Sequence, residues 1–124
     1  MALPININPY PVTISPGQSL SAAIGMGADT LVGISMPSAW VAAALTFQVS
    51  IDGETWQELY ADTGTEVTIP STAAAAGQFI VLPTFPSYIW RGVNLLKVRS
   101  GTASAPVLQT AGATITLIGR PEIM

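Results

Sequence analysis

The chain contains no cysteine and no histidine, and its cationic side chains number only four: Arg91, Lys97, Arg99 and Arg120. Without thiolate or imidazole, the common nucleophiles, the redox CxxC pair, the neutral-pH general base and the usual zinc ligands all drop out. A Ser-His-Asp triad cannot be assembled. Ser–Lys chemistry would fall on Lys97, the single lysine, which the local alternation places on a water-facing strand side. Neither a GxGxxG fingerprint nor a phosphate-binding P-loop occurs. Four cations against seven carboxylates, net charge -3, cannot neutralise a run of phosphates, which argues against nucleic acid as a partner.

Charge of either sign is scarce. Only 9% of residues are Asp, Glu, Lys or Arg, whereas 49% are hydrophobic. The apolar content is enough to offset the entropy of ordering, so the chain is expected to fold. A lone monomer usually shows more charged surface than this, so part of the surface is expected to be covered by other subunits. A long apolar helix is also missing. The uncharged run over residues 31–47 is broken by Gly33, Pro37 and Ser38 and ends in strict alternation, which reads against a membrane span. Met1-Ala2-Leu3-Pro4 has no positively charged lead and does not read as a signal peptide.

At 124 residues the chain has the length of one domain. Residues 1–18 hold Pro4, Pro9, Pro11, Pro16 and Gly17, a composition that favours extended backbone. They are expected to form either an edge strand or an arm lying on a neighbouring protein, dispensable for folding, with residues 19–124 as the folded body. The clearest element is residues 45–51. Leu45, Phe47, Val49 and Ile51 alternate with Thr46, Gln48 and Ser50, the pattern of a strand buried on one face. Asp52-Gly53 then signals a turn, because Gly accepts positive φ and Asp caps. Residues 56–60 return, with Trp56 expected in the core. Further strands are expected at 19–23, 30–36, 66–69, 78–82, 93–100 and 114–118. In 93–100, Leu96 and Val98 face one way and Lys97 and Arg99 the other. Residues 37–40 read as a turn, and the run Ala73 to Ala76 is too short for a free-standing helix. About eight short antiparallel strands with no long helix predict an all-β, single-domain β-sandwich of jelly-roll type.

The carboxylates are Asp29, Asp52, Glu54, Glu58, Asp62, Glu66 and Glu122. A glycosidase needs two that face each other across a sugar. Asp52, Glu54 and Glu58 instead follow one another through a turn and out along a strand, which reads as turn chemistry and a solvated face. Asp52, Glu54 and Asp62 offer calcium-type oxygen ligands but match no loop motif. No catalytic residue, metal ligand or cofactor is assigned, and the chain reads as a binding or structural module. The residues expected to make contacts are Pro9, Tyr10 and Pro11 in the first segment and Trp40, Tyr88 and Trp90 in loops, since aromatic residues anchor interfaces.

Two passages carry a resemblance. The run Leu45-Thr46-Phe47-Gln48-Val49-Ser50-Ile51-Asp52-Gly53-Glu54-Thr55-Trp56 resembles the S-x-DG-x-x-W hairpin of discoidin-like, galactose-binding-like jelly rolls. The run Val93-Asn94-Leu95-Leu96-Lys97-Val98-Arg99-Ser100 resembles their R-Y-V-R-I-like strand, with Leu95-Leu96-Lys97 in place of its Arg-Tyr core. Over residues 30–120 the chain resembles small proteins of tailed bacteriophages and prophages. The pattern is Leu31-Val32-Gly33-Ile34-Ser35-Met36-Pro37-Ser38-Ala39-Trp40, then the hairpin, then Leu96-Lys97-Val98-Arg99-Ser100-Gly101. That resemblance implies a virion-associated structural part, such as a head decoration, head fibre, collar or tail component. It would dock on other virion proteins and be assembled in the host cytoplasm. A homo-oligomer is expected, with a trimer as the guess. The alternative is a carbohydrate-binding module that grips host glycans through Trp40, Tyr88 or Trp90.

Overall fold

Alternation of apolar and polar residues, with turns that only glycine accommodates, organises this chain into paired strands. The structure, a computed structural model, describes residues 7–82 and 95–121. Among these residues the strands are β1 (Asn8–Ile14), β2 (Ile24–Gly25), β3 (Asp29–Ser35), β4 (Leu45–Ser50), β5 (Gln57–Glu58), β6 (Phe79–Val81), β7 (Leu95–Ser100) and β8 (Ala113–Pro121). They form two four-stranded antiparallel sheets, ordered β1-β8-β3-β6 and β2-β7-β4-β5. The pairing is nested: first strand with last, second with seventh, third with sixth, fourth with fifth. The β3·β8 and β4·β7 ladders complete the two sheets.

Val12, Ile14, Leu31, Ile34, Ile80, Ile115 and Leu117 from the first sheet meet Leu45, Phe47, Leu96 and Val98 from the second in one buried cluster. The fold is therefore an all-β sandwich. Met26, Met36, Ile69, Ala74 and Leu82, from outside the strands, join the same cluster. Removal of this apolar area from water is the main favourable contribution to folding.

Of the two readings of residues 1–18, the edge strand forms: Asn8–Ile14 makes a seven-residue ladder with β8 at the edge of its sheet and places Val12 and Ile14 in the core. This segment is therefore not dispensable for folding, and several other expectations need correcting. Of the strand expected at 19–23, only an isolated bridge from Leu20 to Arg99 forms, and β2 begins at Ile24. Residues 66–69 likewise make single bridges, Tyr60 to Glu66 and Leu45 to Ile69. Ile51 lies beyond the end of β4 and is 94% exposed, not inward-facing.

The Asp-Gly turn forms as expected. Gly53 has φ of +81°. Asp52 Oδ1 accepts the amides of Glu54 and Thr55, both at 2.8 Å, and Ser50 Oγ accepts the Gly53 amide at 2.8 Å. These bonds satisfy backbone donors that leave the ladder there.

Candidate docking surface

The outward sides of the two sheets differ in chemistry. In the first sheet, strand register puts Pro9, Pro11 and Thr13 beside Ile118, Thr116 and Thr114, and these beside Gly33 and Ser35. Val81 and Phe79 complete the rows from β6. None of these side chains is charged. Val81 is 77% and Phe79 56% exposed, and Pro9, Pro11, Thr13 and Thr114 also face water. A solvated antiparallel sheet face normally carries polar and charged residues. Among the described residues of this face, Arg120, at the far end of β8, is the first charge met. The Phe79 ring lies over Gly33, where an added Cβ would come within 2.9 Å of its Cζ. The missing Cβ of Gly33 thus leaves room for the Phe79 ring on the outside of the sheet.

This face includes two of the residues expected to make contacts, Pro9 and Pro11. Proline is tolerated on an edge strand because its missing N–H is not needed by a neighbour. Tyr10 points to the other side. It is half-buried, and its hydroxyl donates to Asp29 Oδ2 at 2.6 Å, with Asn8 Nδ2 donating to the same oxygen at 2.8 Å. The hydrogen bond to Asp29, with smaller contributions from burial and the Asp29 charge, pushes the phenol above its ordinary pKa.

The second sheet's outer side is a polar network. Arg99 was expected to face water, yet it is only 7% exposed. Its guanidinium grips Glu58 and donates from Nη1 to Thr46 Oγ1 at 3.3 Å, with Glu66 Oε2 3.6 Å away. Thr46 in turn donates to the Gly101 carbonyl at 2.7 Å, and Gln48 Nε2 to Glu58 Oε1 at 2.9 Å. Arg99 is buried because residues outside the sheet reach it. Glu66 arrives from the segment after β5, and its carboxylate also accepts the Ala103 amide at 3.2 Å. Hydrogen bonding from Arg99 holds the Glu58 carboxyl below its ordinary range. Next along this side, Lys97 Nζ sits 4.4 Å from the Trp56 ring centroid. Trp56 is thus half-buried under an ammonium and lies outside the hydrophobic core, contrary to expectation. Ring quadrupole and cation attract each other in this geometry.

A third feature lies at the end of the sandwich where β3 and β7 stop and β8 starts. Gln109, 1% exposed, pairs its side-chain amide with the backbone of Val41 in both directions, each at 2.9 Å, and donates to Ser100 Oγ at 2.8 Å. Two loops are thereby locked together, with Val41 and Leu108 exposed on them. Trp40, one of the residues expected to make contacts, is half-buried beside Val41 and packs against the core. Tyr88 and Trp90 lie outside the described residues.

Sequence reasoning missed Phe79, Val81 and Gln109. Phe79 and Val81 alternate with Ile80 in a short strand whose facing was not assigned. Gln109 carries no local signal, because its partners lie 68 and 9 residues away. Among the described residues, no group of three or more His, Cys, Asp or Glu side chains is arranged to hold a metal ion, and no helix is long and apolar enough to cross a membrane. No protein-family model matches the chain, and no curated protein matches its sequence at a significant level.

Proposed function

We propose that this protein is a structural part of a tailed-bacteriophage virion, docking on other virion proteins through the outer face of β1-β8-β3-β6. The observation that carries this reading is the absence of charge across that face among the described residues, with Phe79 and Val81 standing out from it. Interface centres are depleted of charge and enriched in aromatic side chains. The resemblance to small virion-associated proteins over residues 30–120 supports the same reading.

We also infer that the sandwich is a jelly roll. The nested pairing of β1 with β8, β2 with β7, β3 with β6 and β4 with β5 supports this. It is the pattern of one long hairpin rolled into two sheets. Viral capsid and lectin domains use such rolls, and fold alone does not choose between them. The uncharged face favours docking over glycan binding, because sugar hydroxyls require polar partners.

Size constrains how the contact works. Four strands spaced about 4.8 Å apart make a face roughly 15–20 Å across. Such a face covers a few hundred Å², on the order of half the ~800 Å² per partner of a stable pairwise interface. Attachment would draw on many copies or on a further contact surface. Mass spectrometry of purified virions from the source phage tests the reading. The protein is expected at a fixed stoichiometry to the major capsid or tail protein, and its absence would overturn the proposal.

A further inference from the structure

β6 ends the first sheet on one side, and its backbone is paired only on the other. The Leu82 amide donates to the Val32 carbonyl at 3.0 Å, and the Gln78 carbonyl accepts the Met36 amide at 2.9 Å. Antiparallel ladders alternate, so with Ile34 opposite Ile80 the backbone groups of residues 78, 80 and 82 turn toward β3. Those of Phe79 and Val81 turn away. Among the described residues nothing pairs with that outward side. Unpaired edges invite a further strand, and proteins commonly block them with proline, charge or a bulge. β1, the other edge of this sheet, carries Pro9 and Pro11, which offer an added strand no donors. Gln78-Phe79-Ile80-Val81-Leu82 has no proline, no charge and no shift of register against β3. The Phe79 ring leans back over Gly33 on β3, so it does not cover the outward edge of its own strand.

We propose that the β6 edge is a self-association site, at which β6 of a second copy adds antiparallel and joins the two first sheets into one. The edge fits itself. With a two-fold axis at Ile80, Phe79 of each copy lies opposite Val81 of the other, and the outward N–H and C=O groups of both residues exchange hydrogen bonds across the axis. The same register sets an exposed aromatic ring beside an exposed β-branched side chain, a favourable cross-strand pair, and no like charges meet. A slip of one residue would turn these side chains to the wrong face. A contact built on a two-fold axis closes at two copies. Pairing also sets the uncharged outer faces of both copies side by side. Each face is about half of the ~800 Å² per partner that a stable interface needs, so the pair presents about that area. A strand from a different protein would meet the same backbone groups, but it would supply neither the matched Phe79 and Val81 rows nor the doubled face.

β6 is three residues long, and a contact of that size is weak, so the dimer is expected to form reversibly at high concentration. Sedimentation of the purified full chain tests this: wild type should shift from monomer to dimer as concentration rises. Val81→Pro deletes an outward N–H that β3 does not use, and Val81→Lys places on the edge a charge of the kind that blocks such pairing. Each is expected to weaken dimerisation about tenfold or more, with thermal unfolding confirming that the variants are folded. Disulfide trapping reads the register, cleanly because the chain has no cysteine. Opposed residues of a hydrogen-bonded pair have Cα atoms about 5.5 Å apart, within disulfide range, so a mixture of Phe79→Cys and Val81→Cys should join one copy of each. Either variant alone sets its cysteines diagonally and should crosslink far less. A wild type that stays monomeric, folded variants that dimerise like wild type, or equal crosslinking in all combinations would each overturn the inference. So would a photo-crosslinker at position 81 that attaches, on particles, only to a different virion protein. The solution measurements involve no virion, so their failure leaves the docking reading standing, and absence of the protein from virions leaves the dimer standing.

Discussion

Arg99 and Glu58 meet through two hydrogen bonds, Nη1 to Oε2 at 2.6 Å and Nη2 to Oε1 at 2.7 Å, on the outer side of the second sheet. Paired contacts of this kind fix orientation as well as supplying energy. Here they fasten the two-residue strand β5 across the β4·β7 ladder. The Arg99 side chain is nearly enclosed, whereas that of Glu58 is about a third exposed, at 31%. Breaking the pair should therefore cost less than breaking a fully buried one. Glu58→Gln is expected to lose about 1–2 kcal/mol in urea unfolding. Combining Arg99→Met with Glu58→Leu should lose less than the sum of the single changes, because no charge is then left without its partner. Additive losses would show that the pair does not act as a unit.

Stability should fall in acid. The Glu58 carboxyl is held low first by Arg99, and the Asp52 carboxyl is held low first by the Thr55 amide, then by the Glu54 amide and Ser50. A carboxyl whose pKa is depressed on folding stabilises the protein above its unfolded value and loses that contribution as pH falls through the folded value. Unfolding midpoints should therefore drop as pH falls below about 4.5. Asp52→Asn and Glu58→Gln should each flatten that drop. Tyr10 acts at the other end. Its raised phenol pKa stabilises the fold below the unfolded value of about 10 and is lost as pH rises through the folded value. Tyr10→Phe should remove this alkaline loss, and an unchanged alkaline limb would exclude the bond to Asp29 as its source.

Gly101 sits at φ +93°, and an added Cβ would come within 2.5 Å of the Ala105 carbonyl oxygen and 2.7 Å of the Val107 nitrogen. Both contacts are backbone and cannot swing aside. Gly101→Ala is expected to destabilise by about 2–4 kcal/mol and to loosen Thr46, which donates to the Gly101 carbonyl. Gly64→Ala, at a similar φ of +89° but with nothing within 4 Å, should cost only about 1 kcal/mol. Equal effects at the two sites would mean that backbone strain alone sets the cost.

The two ladders that hold the sandwich together were legible because alternation is a local signal. Leu45, Phe47, Leu96, Val98, Ile115 and Leu117 all face the core as their spacing implied. The Asp52-Gly53 turn was legible because its chemistry lies within four residues. What the sequence hid depends on distant chain. Arg99 alternates like a water-facing residue, and its carboxylate partners Glu58 and Glu66 lie 41 and 33 residues earlier by numbering. Residues 8–14 read equally as an edge strand or as an arm, and only β8, at the other end of the chain, decides for the strand. The uncharged outer face of the first sheet is likewise a sum over four strands, no one of which is unusual alone.

The most direct test of the docking account is the amount of this protein on virions when a charge is placed on that face without disturbing the core. Val81→Glu and Thr13→Lys change exposed side chains on the two edge strands, and both variants should unfold at the wild-type temperature. The account predicts wild-type protein on particles at a fixed stoichiometry and both variants strongly depleted. Incorporation of both at the wild-type level would contradict it, and absence of the wild type from virions would dismiss the virion reading itself.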